Sequence, residues 1–285
     1  MPFLQTRRLL SAAVLILSGA STAAADGVVE RLRETGEIRM GVRRDAAPMS
    51  SVNADGGADG YTIRVCLSVA DELEKQLGID RLKPMLSAVD TANRFAALQE
   101  GRIDLLCGAA TVTLARREQV AFSIPTFVDG ASVLLPKAAP ETFDALAGKR
   151  IGVRSQTTTE AALRNTLTRQ GMDAEVVPIK DHRDALGALE AGEIDAYFAD
   201  QTILVGIVDQ SDDPTAFKIA TETLTVEKHA LAMPLGDEAF RLEVDRAIST
   251  LYRSGRMAEI FRDMFAGATP STLLKALYRL APELP

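Results

Sequence analysis

The sequence predicts an α/β protein built as two similar lobes, and three observations carry that prediction. A buried apolar strand, residues 103–107, stops at Gly108 and is followed within a few residues by a helix start at Thr113. Strand and helix patterns then alternate along most of the chain, the signature of parallel sheets covered by helices. Finally, a phrase recurs: Leu98-Gln-Glu-Gly-Arg-Ile-Asp104 and Leu189-Glu-Ala-Gly-Glu-Ile-Asp195 each read as a helix end, a glycine and a strand start. Two units of about 90–110 residues with the same layout imply two lobes.

The elements follow in order. Residues 26–34 form an amphipathic helix ended by Gly36, and residues 38–42 a strand that delivers Arg43, Arg44 and Asp45 to its carboxyl end. Residues 50–60, rich in Gly, Asp and Asn, read as a loop. The helix over 63–77 puts Val65, Val69, Leu73 and Leu77 on one side. A strand at 82–89 is followed by Thr91, Asn93 and Arg94, then by a helix over 95–100. Beyond the central strand, 122–127 and 131–135 are extended and 144–148 is a helical turn. A second series then runs strand 150–153, helix 160–170, strand 174–177, helix 183–190 and strand 196–199. Residues 217–235 hold further strands, and 237–254 and 256–265 two helices.

Composition bounds the function. Of 285 residues, 47% are hydrophobic and 25% charged, which suits a packed core. Residues 1–25 read as a cleaved signal peptide: Arg7-Arg8, an apolar run over 9–17, and small residues through Ala25. The general secretory route fits better than the twin-arginine route, to which Thr6-Arg7-Arg8-Leu9-Leu10 is a poor match. The remaining chain holds 30 Lys+Arg against 39 Asp+Glu, net −9, which argues against nucleic acid as a partner. No later segment reaches membrane-spanning length. Cys66 and Cys107 lack the companions of a zinc site. In an oxidising compartment they pair, closing a 41-residue separation worth about 4 kcal/mol on loop entropy, with two buried free thiols as the alternative.

In open α/β sheets ligands bind beyond the carboxyl ends of the strands. Arg43, Thr91, Arg94, Thr111, Arg116, Thr158 and Asp200 all fall there. Around the central strand, Thr113 can cap the amides of Ala115 and Arg116. Thr111 and Arg116 can then hold a carboxylate at the helix start. The plainer reading of that stretch is a surface helix with a solvated Arg-Arg pair.

Over nearly all of residues 30–285 the chain resembles the bacterial periplasmic solute-binding proteins for polar amino acids (family 3), within them most closely the glutamate/aspartate-binding subgroup. The resemblance is carried by Gly60-Tyr61, Thr91-Ala-Asn-Arg94, Cys107-Gly108, Thr111, Arg116, Val120-Ala-Phe-Ser123, Thr157-Thr158, Lys180-Asp181-His182 and Asp200. It implies a type II periplasmic binding protein fold, each lobe a mostly parallel sheet flanked by helices, with a two-strand hinge near residues 129–134 and 222–226. Lobe 1 then comprises 26–130 and 225–285, and lobe 2 comprises 131–224.

For the site, the resemblance implies that Arg116, Thr111 and Thr158 clamp an α-carboxylate and Asp200 accepts an α-ammonium. Arg43, Arg94 and His182 would supply cations for an acidic side chain, with Thr91 and the backbone of Ala109 completing the set. It implies no cofactor and no metal. The partners implied are an amino acid and the inner-membrane permease of an ABC importer, the protein itself being a periplasmic monomer. Ala109 and Ala110 depart from the hydroxyl residues common in the subgroup, and Ala46 and Met49 from the aromatic residues common in the wider family. Asparagine, glutamine or a small dicarboxylic compound therefore stay open as ligands. Two other functions were weighed. An exported dehydratase-like enzyme for a cyclic acid would need His182, Asp200 or Glu227 as its acid or base, and no nucleophile–base pair accompanies them. The sensor of a membrane receptor would need an output domain, which the residues after Phe265 do not supply.

Overall fold

The computed structural model describes residues 27–284 and contains two five-stranded mixed sheets with helices packed against them. Residues 1–25, read from the sequence as a signal peptide, lie outside the described residues. Helix α1 (Val28–Thr35) ends at Gly36 in the left-handed conformation and leads into β1 (Glu37–Arg43). The segment read as a loop is instead a small antiparallel sheet of β2 (Asp45–Ala46), β3 (Ser50–Val52) and β4 (Ala58–Asp59). Its strands are too short to show an alternating pattern. Helix α2 (Tyr61–Leu77) buries Val65, Val69 and Leu73 as the spacing predicts, against a core that includes Met40 and Leu105. Strand β5 (Lys83–Val89), helix α3 (Arg94–Gln99), strand β6 (Leu105–Cys107) and the four-residue helix α4 (Leu114–Arg117) follow.

Strand β7 (Ala121–Asp129) belongs to the first sheet and β8 (Ala131–Pro136) to the second. The second series is β9 (Arg150–Arg154), α5 (Thr158–Gln170), β10 (Glu175–Ile179), α6 (Asp184–Glu190) and β11 (Ala196–Asp200). Helix α7 (Gln201–Val208) then starts directly at Asp200. Its run of Ile, Leu and Val has no polar face to mark a helical period, so the sequence reading passed over it. Strands β12 (Phe217–Ile219) and β13 (Glu227–Met233) complete the two sheets. Helices α8 (Glu238–Arg253) and α9 (Arg256–Met264) match the expected pair, and α10 (Thr272–Leu280), capped by Ser271, adds a helix not foreseen.

Both sheets share one plan. The first runs β5-β1-β6-β13-β7 and the second β10-β9-β11-β8-β12. In each, three parallel strands are followed by one antiparallel strand and then by a fifth that reverses direction again. The repeated phrase has one structural job in both. Asp104 accepts the Arg39 amide at 2.7 Å, and Asp195 accepts the Arg150 amide at 2.8 Å. Each carboxylate also pairs with that arginine's guanidinium, tying the start of a central strand to its neighbour.

The chain crosses between the sheets at Gly130, where a Cβ would lie 2.2 Å from the Thr225 carbonyl. The return crossing, between β12 and β13, is bonded to the first: Ala131 donates its amide to Thr225 Oγ1 and accepts one from Leu224. The first connection is Gly130 alone and the second spans residues 220–226, and the two lie side by side.

Cys66 on α2 and Cys107 at the end of β6 are joined as a disulfide, with their Cα atoms 6.0 Å apart. The bond anchors α2 beside the strand end that leads into the cleft. Thiol titration of the denatured, unreduced protein is expected to find no free sulfhydryl. Reduction should lower stability by about 4 kcal/mol on the loop-entropy estimate. Two reactive thiols before reduction would contradict the pairing.

Candidate functional site

The carboxyl ends of the parallel strands from both sheets face one space of about 380 Å³. From the first sheet's side come Arg43, Arg94, Ala109, Thr111 and Arg116. From the second come Arg154, Thr157, Thr158, Thr159, His182, Phe198, Ala199, Asp200 and Ile203. Eight of the nine expected ligand residues line this space. Thr91 does not: it borders an adjoining surface depression with Asp90, Asp181 and Arg154.

Four guanidiniums converge here. Arg43 is buried at the end of β1 and reaches Asp45 Oδ1 at 2.6 Å. Its side chain crosses Gly108 so closely that a Cβ there would stand 2.8 Å from Arg43 Cγ. Arg154, at the end of β9 in the other sheet, approaches the second Asp45 oxygen at 3.0 Å. Burial pushes the Asp45 carboxyl up, but the Arg43 and Arg154 guanidiniums outweigh it and hold it below the usual range. Arg94 and Arg116 both lie over the Phe95 ring, at 4.8 and 5.5 Å from its centroid. Arg116 donates to the Thr111 carbonyl at 2.8 Å. Arg94 is buried, and its Nε and Nη1 have no acceptor among the described residues. Burial lowers its pKa well below the ordinary value, and the charges of Arg43 and Arg116 add to the effect. A buried cation in that state attracts an anion strongly.

The clamp threonines have a carboxylate of the protein between them. Glu227 Oε2 accepts from Thr111 at 2.6 Å and from Thr158 at 2.9 Å, while Oε1 accepts from Thr225 at 2.8 Å. Thr111 and Thr158 also stand 3.2 Å apart, joining the two sides. Thr113 caps the amide of Arg116 alone, because α4 is a single turn. Arg116 therefore sits at the end of that turn and not at the head of a long helix.

His182 departs from expectation in its charge. Its Nδ1 shares a 2.7 Å hydrogen bond with the Tyr197 hydroxyl, and burial, helped by the Arg43 charge, pushes its pKa down to about 4. At neutral pH it contributes a neutral polar ring and not a cation. The second histidine, which the sequence reading left without a role, lies against Asp200: His229 Nε2 is 3.4 Å from Asp200 Oδ2. Thr159 donates to the other Asp200 oxygen at 3.3 Å. Asp129 completes a buried group whose ligating atoms lie within 4.8 Å of one another. Burial and the Asp200 charge raise Asp129 to about 6, while its hydroxyl partner Thr202 moderates the rise.

Arg154 was legible in principle, since it ends a strand as Arg43 and Asp200 do. His229 reaches Asp200 through β13, whose antiparallel pairing with β7 leaves no local sequence signal.

The His182 shift fixes a pH dependence. Its folded value lies below its unfolded 6.5, so its stabilising contribution is full above pH 6.5 and is lost as pH falls toward 4. The loss amounts to ~3 kcal/mol at most. Asp129 acts oppositely, because its raised value favours the folded state as pH drops from 6. Comparing Tm against pH for the wild type and His182→Gln separates the two. The variant is expected to lose the decline between pH 6.5 and 4, and an identical slope in both would count against a buried neutral His182.

The profile of the bacterial extracellular solute-binding proteins, family 3, matches residues 38–267. The L-glutamate/L-aspartate-binding protein of Pseudomonas aeruginosa is 29% identical, covering 97% of this chain and 93% of its own length. The glutamate/aspartate import solute-binding protein of Escherichia coli is 27% identical, covering 92% and 87%. Among solved structures, a histidine-bound ABC uptake transporter substrate-binding protein from Streptococcus pneumoniae superposes with a TM-score of 0.75 at 22% identity, covering 85% of this chain and 97% of that one. An ancestral arginine-binding protein bound to glutamine gives 0.72 at 24%, covering 81% and 98%. The mixed sheets, the strand-end cleft and these matches agree: the chain belongs to the bacterial extracellular solute-binding proteins, family 3.

Proposed function

We propose that this protein is the periplasmic solute-binding component of an ABC importer. It captures an acidic amino acid or its amide between lobe 1 (residues 26–130 and 225–285) and lobe 2 (residues 131–224), and delivers it as a monomer to the inner-membrane permease. The observation that carries the ligand class is Arg94, a buried guanidinium with two nitrogens lacking acceptors, beside Arg116 over the same aromatic ring. Two such cations suit two carboxylates. Arg116 takes the α-carboxylate, which would exchange with Glu227 for the hydroxyl protons of Thr111 and Thr158. Arg94 and Arg43 take the side-chain group, with His182 as a neutral hydrogen-bonding partner, and Asp200 and the Ala109 backbone face the α-amino group. The names of the Pseudomonas aeruginosa and Escherichia coli relatives support this assignment. The N-terminal leader would export the chain, and the paired crossings at Gly130 and Thr225 would serve as the hinge of closure. The relatives are solute binders and not enzymes, so the dehydratase reading is not favoured.

A thermal-shift panel of amino acids tests the function, since a ligand at 100 times its Kd adds about 2.7 kcal/mol to stability. Removing one member of a buried charge pair costs about 2–5 kcal/mol, a loss of roughly 30-fold to several thousandfold in affinity. Arg116→Ala should impose that loss equally on glutamate, aspartate and glutamine. Arg94→Ala should weaken the two acids more than the amide. Calorimetric titration of both variants checks this, and an equal effect of Arg94→Ala on all three ligands would refute the assignment of Arg94 to the side chain.

A further inference from the structure

Resting on the acidic-ligand function of the same cavity, we propose that the cleft binds small dicarboxylates whether or not they carry an α-ammonium group, His229 taking over the neutralisation of Asp200 that the ammonium would provide. An ammonium is held in a buried cleft when a carboxylate offers it both lone pairs and uncompensated charge. Each Asp200 oxygen already has a partner within the protein, and its charge has a histidine beside it. One oxygen accepts from Thr159 at 3.3 Å and the other lies 3.4 Å from His229 Nε2. His229 is 1% exposed, so water does not screen the pair.

The groups facing the ring come from three strands: Asp200 ends β11, Asp129 ends β7, and Glu227 begins the histidine's own strand β13. Burial alone would lower the His229 pKa, yet these carboxylates, Asp200 foremost, hold it above the ordinary value. His229, when protonated, gives Asp200 a counter-charge within the protein, one it shares with Asp129 and Glu227. Two alanines, Ala109 and Ala110, occupy the turn after β6, and neither has a side-chain acceptor for an ammonium. Arg94 and Arg116, which line the same cavity, have the converse need, being cations that call for anions. The balance selects two carboxylates and makes the amino group dispensable.

The test is calorimetric titration of the full chain at neutral pH with L-glutamate and with glutarate, the same skeleton without the amino group. Glutarate is expected to bind within tenfold of glutamate. A deficit greater than tenfold overturns the inference while leaving the acidic-ligand function intact. Saturation by neutral amino acids with no response to either acid overturns both. His229→Gln keeps a polar side chain of similar reach but removes the charge. It should widen the glutamate-to-glutarate ratio at least tenfold, by weakening glutarate selectively. An unchanged ratio in a folded variant overturns the role of His229. Should that variant fail to fold, the comparison of the two ligands on the wild type still decides the ligand class.

Discussion

The cleft depends on one carboxylate. Asp45 lies between Arg43, at 2.6 Å on the same side, and Arg154, at 3.0 Å from the opposite sheet. Four guanidiniums around so small a space repel one another, at about 4 kcal/mol per pair 4 Å apart for an effective dielectric of 20. Asp45 offsets the repulsion between two of them and leaves Arg94 and Arg116 free to meet a ligand. Its position is set by the small β2-β3-β4 sheet: Asp45 pairs with Ser51, and the buried Ser50 hydroxyl accepts the Arg43 amide at 2.9 Å. A segment of fourteen or so residues with almost no core of its own thereby controls the electrostatics of the site.

The same carboxylate joins the two halves. Asp45–Arg154, Thr158–Glu227 and Thr111–Thr158 all cross from one sheet's side to the other. Ala46 packs with the second sheet's apolar cluster, and Gly206 fits against the Ala47 carbonyl, where a Cβ would stand 2.6 Å away. These contacts are few, and hydrogen bonds contribute only about 0.5–1.5 kcal/mol each net of water, or about 1.5–3 kcal/mol where one partner is charged. Such a set orders the cleft without welding it, in keeping with a closure that a ligand can complete and its departure can undo.

How much of this the sequence foretold follows from where each signal lies. Arg43, Arg94, Thr158 and Asp200 are local: each ends a strand or opens a helix, and the α/β plan alone puts such positions in a crevice, with Arg116 one short turn away. The repeated phrase ending in Asp104 and Asp195 was legible for the same reason, since a carboxylate at a strand start bonds a neighbour set by the same topology. What stayed hidden was non-local. The contact of His229 with Asp200 requires knowing that β13 lies antiparallel between β6 and β7. The neutrality of His182 depends on complete burial against Tyr197 and on the charge of Arg43, neither of which is visible from a phrase of three residues. Helix α7 was missed because burial on all sides erases the polar face by which a helix is recognised.

The two lobes share a backbone plan yet bring different chemistry, and the difference is what makes a site. The first sheet's strand ends supply Arg43, Arg94 and Arg116, a cationic wall. The second supplies three successive threonines at the head of α5 and Asp200, with Arg154 directed at Asp45. One wall of the cleft thus presents cations and the other hydroxyls beside a carboxylate, and a low dielectric between them strengthens both kinds of contact. Symmetry of the scaffold gives the cleft its shape, and asymmetry of the strand-end side chains gives the ligand an orientation within it.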